Sequence, residues 1–408
     1  TALELWNPLW EILDCLVELE ADLGVDLASA LLVAATMHGQ HLREARLWRR
    51  LAASPRASGI ASELLAASAA AEAITGITTE VVSRGPDLDN SVWKARTYEK
   101  EIHALHYVVA HAPPGDAEGV LAAVEAFCGS RRCWMKLAAG EKAAVLEAVV
   151  SARRPELIVE VGCYIGYSAV RLAAAARTWG GRVISMELDP YVACVARGIL
   201  RHAGLAETAE VWIGHSEQLI GKLSSQGRPV GLAFFDQRGS RFQEDLDRLE
   251  RFGLLAEGAV IVADNVLKPG APAFLWHVCA ADGPYETRVV PLRDFGSEGV
   301  EDWVSVSRKR PGGELQSVAG GCTAPVPRAV LELDREADAM RWRSVDEHVS
   351  PPEWREFSCH MEVALAHAGV RPSMVTVQEL WDSGAAAVPG SIRRVGVNVR
   401  GRGREGSG

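Results

Sequence analysis

The chain has 408 residues, 48% of them hydrophobic, and a net charge of −10. That length suffices for one α/β domain with one or two smaller pieces, and the acidic balance argues against a general nucleic-acid partner. No apolar run reaches the roughly 18 residues of a membrane span.

Residues 1–96 are Ala/Leu-rich. Leu5, Leu9, Ile12, Leu13, Leu16 and Leu19 recur at helical spacing. Further helices are expected over 27–51 and 60–74, punctuated by Pro55, Gly59 and Gly76. This segment reads as a helical extension suited to protein contacts. His38 and His41 lack an acidic partner in register and read as ordinary histidines.

Residues 97–310 form the central domain. Two or three helices over 98–155 lead into a series of strands at 157–161, 182–187, 209–213, 231–235, 258–263, 286–291 and 302–307. Helical patterns separate the first five strands, and the last two follow each other as a closing hairpin. The stretch LIVEVGCYIGYSA at 157–169 is a strand, a glycine turn and a helix start. Glycines let a ligand approach the backbone, and the helix start offers unpaired N–H groups. The second strand ends in Glu187, where nucleotide-binding folds grip a ribose diol. The turn lacks the full G-x-G-x-x-G pattern, which favours S-adenosylmethionine over NAD. The fourth and fifth strands end in Asp236 and in Asp264-Asn265. At one edge of a parallel sheet these oxygens suit Mg²⁺ before Zn²⁺.

Pro311 opens a linker over 311–327. Residues 328–385 form a second helical extension, with a helix start at Ser350-Pro351-Pro352-Glu353. Residues 386–408 form a Gly/Arg-rich tail expected to be disordered. The eight cysteines are scattered and form no C-x-x-C pair, which argues against a zinc site and for a reducing, cytoplasmic setting. The chain begins at Thr1 rather than Met, so an upstream targeting segment stays open.

Between Tyr98 and Lys309 the chain resembles the catechol O-methyltransferase family of class I methyltransferases. The matching segments include Pro114-Gly115-Asp116, Val120-Leu121, Phe127-Cys128, Gly162-Cys163-Tyr164-Ile165-Gly166-Tyr167-Ser168-Ala169, Met186-Glu187, Gly214-His215-Ser216, Phe235-Asp236, Ala263-Asp264-Asn265 and Pro269-Gly270-Ala271-Pro272. The resemblance implies a doubly wound, seven-stranded Rossmann-like sheet of order 3-2-1-4-5-7-6. It implies Mg²⁺-dependent transfer of a methyl group from S-adenosylmethionine to a catechol-type small molecule.

By the same resemblance, Glu187 takes the cofactor ribose. Glu160, Gly162, Tyr164, Gly166, Tyr167 and Ser168 hold its methionine end, and Ser216 and Glu217 flank its adenine. Met135, Lys136 and Asp236 complete the cofactor set. Asp236, Asp264 and Asn265 are the metal ligands; Trp134, Pro269 and Asn265 contact the acceptor. The family's His-Trp-Lys after the fourth strand is Gln237-Arg238-Gly239 here, so the position of its basic lysine is glycine. Lys268 is the nearest substitute in sequence, and Asp294 stands near the family's acidic acceptor contact. A lysine restored at Gly239 is expected to raise the rate. The alternatives are a cofactor-binding pseudo-enzyme and a methyltransferase for a different phenolic acceptor.

Overall fold

A computed structural model describes residues 99–130, 135, 137–293, 300–311 and 326–380. The helical extension over 1–96, the tail over 386–408 and most of the linker lie outside the described residues, as do Trp134, Lys136 and Asp294.

Three helices come first: α1 (Glu99–His111), α2 (Ala117–Ser130) and α3 (Glu141–Arg153). Strands and helices then alternate: β1 (Leu157–Val161), α4 (Tyr167–Arg177), β2 (Arg182–Glu187), α5 (Pro190–His202), β3 (Ala209–Ile213), α6 (Ser216–Lys222), β4 (Val230–Phe235), α7 (Phe242–Arg251), β5 (Leu255–Ala263) and α8 (Pro272–Val278). A long hairpin of β6 (Tyr285–Arg293) and β7 (Glu301–Lys309) follows. The C-terminal segment adds α9 (Arg328–Asp346), α10 (Pro351–His367), β8 (Ser373–Met374) and the single turn α11 (Val377–Leu380).

The sheet order is β3-β2-β1-β4-β5-β7-β6-β8. The first five strands are parallel, and β7 runs antiparallel to both β5 and β6. The fold is the Rossmann-like α/β fold of class I methyltransferases. The expected strand count of seven is corrected to eight. The additional strand is two residues long and pairs Arg288 with Ser373 and Val289 with Met374 at the β6 edge. So short a strand has no hydrophobic run to reveal it.

Burial on both faces explains why β1 reads as an unbroken apolar run. All five of its residues are buried. Leu157, Val159 and Val161 enter the core under α6 to α8, while Ile158 enters the core under α1 to α5. That alternation is the period-two geometry of a strand. Val330, Leu333 and Ala337 of α9 and Met361 and Leu365 of α10 join the first of these cores. The C-terminal helices therefore bury apolar faces on the carboxyl side of the sheet. Glu353 accepts from both the backbone N–H (2.9 Å) and the hydroxyl (2.7 Å) of Ser350 and closes the start of α10. Among the described residues no helix is long and apolar enough to cross a membrane.

Phe235, Phe242 and Phe274 are fully buried and pack at ring-centroid distances of 5.6, 5.7 and 6.2 Å. Phe235 is the last residue of β4, so this cluster supports the backbone that carries Asp236. Phe242→Ala is expected to cost about 3–5 kcal/mol of stability, read by denaturant unfolding.

Candidate active site

The turn after β1 is shaped by what lies beneath it. Gly162 has φ +94°, and a Cβ there would fall 2.7 Å from the backbone of Asp236. A side chain would push the turn off β4, so glycine is required. Gly166, at φ +84°, precedes α4 and lies against Ala196. Glu187 braces the turn from β2: its Oε2 accepts from the N–H groups of Tyr164 (2.8 Å) and Cys163 (3.2 Å), and its Oε1 from that of Asp189 (2.9 Å). Burial raises its carboxyl, against those hydrogen bonds.

Glu160 is wholly buried one strand away. Its Oε2 accepts from the Ser185 hydroxyl at 2.5 Å, while its Oε1 has no partner among the described residues. Burial pushes this carboxyl up to about 7, although hydrogen bonds from Ser168, Ser185 and Cys163 favour the charged form. A buried oxygen lacking a donor, beside a glycine turn with its helix start, fits the ammonium end of an amino-acid ligand. The residues thus fit S-adenosylmethionine.

Other members of the expected cofactor set make contacts within the protein. The Tyr164 hydroxyl donates to Glu101 of α1 at 2.5 Å. The Tyr167 hydroxyl meets Glu125 of α2 and Arg171 of its own helix α4. Any contact of Tyr167 with a ligand in the turn therefore runs through its main chain. Ser216 hydrogen-bonds Asp245, and Glu217 pairs with Arg248 at 3.3 Å. Asp245 is fully buried and also accepts from Gln237 (2.8 Å) and Arg248 (3.0 Å). Met135 is buried.

The expected metal ligands come together through sheet register. Phe235 pairs with Ala263, so Asp236 and Asp264 leave adjacent strands side by side. The Asp264 N–H donates to the Phe235 carbonyl at 2.9 Å. Asn265 has φ +55°, and its Nδ2 donates to Asp302 at 2.6 Å. With its nitrogen held there, its carbonyl oxygen is turned the other way and fixed in orientation. Two carboxylates and an oriented amide oxygen are a hard-cation donor set and fit Mg²⁺.

A buried lysine supports this edge. Lys142 of α3 places its Nζ 2.7 Å from Asp264 Oδ1 and 3.3 Å from Asp302 Oδ2. Asp302, with no exposed surface, also accepts from the N–H groups of Lys268 (3.0 Å) and Trp303 (2.8 Å). Sequence reasoning missed both residues. The signal for Lys142 was present: it stands three and four positions before Val145 and Leu146, on the buried face of α3. Asp302 follows Glu301 and opens the strand expected over 302–307, where an acid reads as a strand end.

Lys268 stands beside this cluster, with its main-chain N–H on Asp302. Its Nζ lies over the Trp354 ring of α10, 5.5 Å from the centroid. Lys142 holds a second ammonium at these strand ends. Pro269 follows a cis peptide bond and is half-buried.

Gly239 is similarly constrained. A Cβ there would lie 2.2 Å from the Gly270 carbonyl oxygen, so this arrangement cannot take the restored lysine. Arg238 forms a two-pronged pair with Asp338 of α9, its Nε at 2.8 Å, and Ser240 donates to the same carboxylate at 2.9 Å. Its guanidinium lies 5.4 Å from the Trp342 ring centroid. Arg341, the next turn along, is largely withdrawn from water within electrostatic reach of Asp236. Residues about a hundred positions downstream thus hold the loop that carries Gly239.

A methyltransferase-domain family model matches residues 159–266. Catechol O-methyltransferase of Mus musculus is 37% identical over 181 residues, which cover 44% of this chain and 68% of that protein. Transmembrane O-methyltransferase of Homo sapiens is 35% identical over 201 residues, covering 48% of this chain and 68% of that protein. Among solved structures, an O-methyltransferase from Bacillus cereus in complex with SAH aligns with a TM-score of 0.41 at 20% identity, over 51% of this chain and 97% of that one.

Two outcomes are expected from this geometry. Lys142→Met leaves buried carboxylates without their cation and should cost about 3–5 kcal/mol in denaturant unfolding. Glu160, with its folded-state pKa raised from 4.5 to about 7, contributes stability that is present below 4.5 and lost as pH rises through about 7. Relative to Glu160→Gln, the parent should therefore lose on the order of 3 kcal/mol across that window.

Proposed function

The chain belongs to the catechol O-methyltransferase family of class I methyltransferases, and on that premise we propose that it transfers a methyl group from S-adenosylmethionine to an oxygen of a catechol-type small molecule with the help of Mg²⁺. The observation that carries this reading is the adjacency of two built sites. Glu160, Glu187 and the glycine turn stand at the ends of β1 and β2, and Asp236 and Asp264-Asn265 stand at the ends of β4 and β5. One cofactor and one chelating acceptor fit side by side along that edge.

S-adenosylmethionine, when bound, would supply the methyl group: the acceptor oxygen would take it in line as the C–S bond breaks, with S-adenosylhomocysteine leaving and the phenolic proton passing to water. In this reading the turn and Glu160 hold the methionine end, and Glu187 meets the ribose from its place against the turn. Asp236, Asp264 and Asn265 would hold the cation, which when bound lowers the pKa of a coordinated hydroxyl. Lys142 and Asp302 keep Asp264 and Asn265 in place. Positioning of the reacting atoms carries much of the barrier.

No lysine follows β4 here, and α9 packs where one would reach. Two observations, the contact between Gly239 and Gly270 and the pairing of Arg238 with Asp338, favour a second reading in which the cofactor binds but catechol turnover is weak. They also favour an acceptor differing from catechol on the side facing α9.

Titration calorimetry with S-adenosylmethionine, then a methylation assay on a catechol panel with and without Mg²⁺, separates these readings. Turnover should require Mg²⁺, rise with pH as the hydroxyl ionises without a side-chain base, and vanish in Asp264→Ala while cofactor binding persists. Cofactor binding with no methylated product from any catechol would establish the second reading. Absence of cofactor binding would overturn both.

A further inference from the structure

At the edge of the sheet opposite the strand ends that carry Asp236 and Asp264, the last turns of α7 and α8 meet the first residue of β6. Asp247 and Glu250 lie three apart on one face of α7. His277 comes from α8. One ligand-type atom from each lies within 4.8 Å of the other two. His277 is 6% exposed, and its Nε2 has no hydrogen-bond partner among the described residues, although it points to Glu250 Oε1 at 3.8 Å. The fully buried Tyr285 donates its hydroxyl to that same Glu250 oxygen at 2.5 Å, and Gln243 donates to Asp247 at 2.6 Å.

A buried imidazole nitrogen facing two carboxylates without a bond is a group that needs explanation. A single divalent cation would satisfy the nitrogen and both acids at once. An imidazole with carboxylates is a mixed N/O set, which suits Zn²⁺ or a similar transition ion, whereas Mg²⁺ and Ca²⁺ take all-oxygen sets. Tetrahedral bonds of about 2.0–2.1 Å imply ligand spacings of about 3.4 Å. The 3.8 Å between His277 and Glu250 is therefore close to a binding geometry.

We propose that Asp247, Glu250 and His277 bind one Zn²⁺-class cation, with the Tyr285 hydroxyl fixing the Glu250 carboxylate behind it. Asp247 is half-buried and gives the ion a way in. The site is structural in kind. It ties the far ends of α7 and α8, the helices that contribute Phe242 and Phe274 beneath Asp236, to the start of β6. The lack of paired cysteines argued against zinc; these donors come from residue types and elements that only the fold brings together.

The test uses the full chain, stripped of metal by chelation and titrated with Zn²⁺ alone. The parent and Asp264→Ala should each take up one equivalent that His277→Leu and Asp247→Ala lack, with a rise in thermal midpoint only where that equivalent binds. Co²⁺ in its place should give the visible absorption of a low-coordinate N/O site. Tyr285→Phe should keep the stoichiometry and weaken binding about 10- to 100-fold. If His277→Leu does not fold, the half-buried Asp247→Ala decides alone. Equal zinc uptake by the parent and Asp247→Ala would assign the metal to cysteines or to the other edge and overturn the proposal, as would no uptake by the parent.

Discussion

The carboxylate of Asp302 sets the terms for the rest of the site. It has no exposed surface, so each of its lone pairs must meet a donor inside the protein. Its donors come from three places: the Lys142 ammonium on α3, the Asn265 amide and Lys268 N–H after β5, and the N–H of Trp303 on β7. Holding that one charge fixes a helix, a strand and the loop beyond the neighbouring strand in a single arrangement. Asp264 shares the lysine, and Asn265 is oriented by its bond to Asp302. The geometry of the strand ends therefore follows from satisfying a buried acid, before any ligand is considered.

The neighbouring cradle works by a related constraint. Glu187 accepts three backbone N–H groups, so the turn after β1 takes its shape from an acid on β2. Glu160 sits deeper and keeps one oxygen without a donor. Burial raises its carboxyl, and the unmet oxygen would suit a cationic group. The same acid that burial makes costly near neutral pH is the one a bound ammonium would relieve.

The C-terminal segment ties down the loops that follow β4 and β5. Asp338 reaches back to Arg238 and Ser240, and Asp334 accepts from the Ala273 N–H at the start of α8. Met361 and Ala337 lie against Gly270, whose carbonyl in turn excludes any side chain at Gly239. What reads in one dimension as the loss of a base is in three dimensions the closing of a gap between two loops, held by a helix from the far end of the chain. Asp338, Ala337 and Met361, which hold these loops, lie outside the segment 159–266 that the methyltransferase-domain model matches.

The apolar strand runs, the glycine turn and the acids at strand ends were legible because they obey local rules. A buried parallel strand must be apolar, and its polar end must lie at the carboxyl edge with the others. Glu160, Glu187, Asp236 and Asp264 could therefore be placed from their positions alone. The start of α10 was legible for the same reason, through Ser350 and Glu353. Lys142 was half-legible as a charge on an apolar helix face, but its partners were not. Asp302, Asp338 and His277 meet their counterparts across gaps in sequence that no periodicity spans. The amino-acid order determined the fold and the edge where chemistry belongs, since both follow from nearest-neighbour geometry. Only the tertiary structure decided which buried charges pair and why position 239 must be glycine, because long-range packing alone sets the distances at which charges and backbones meet.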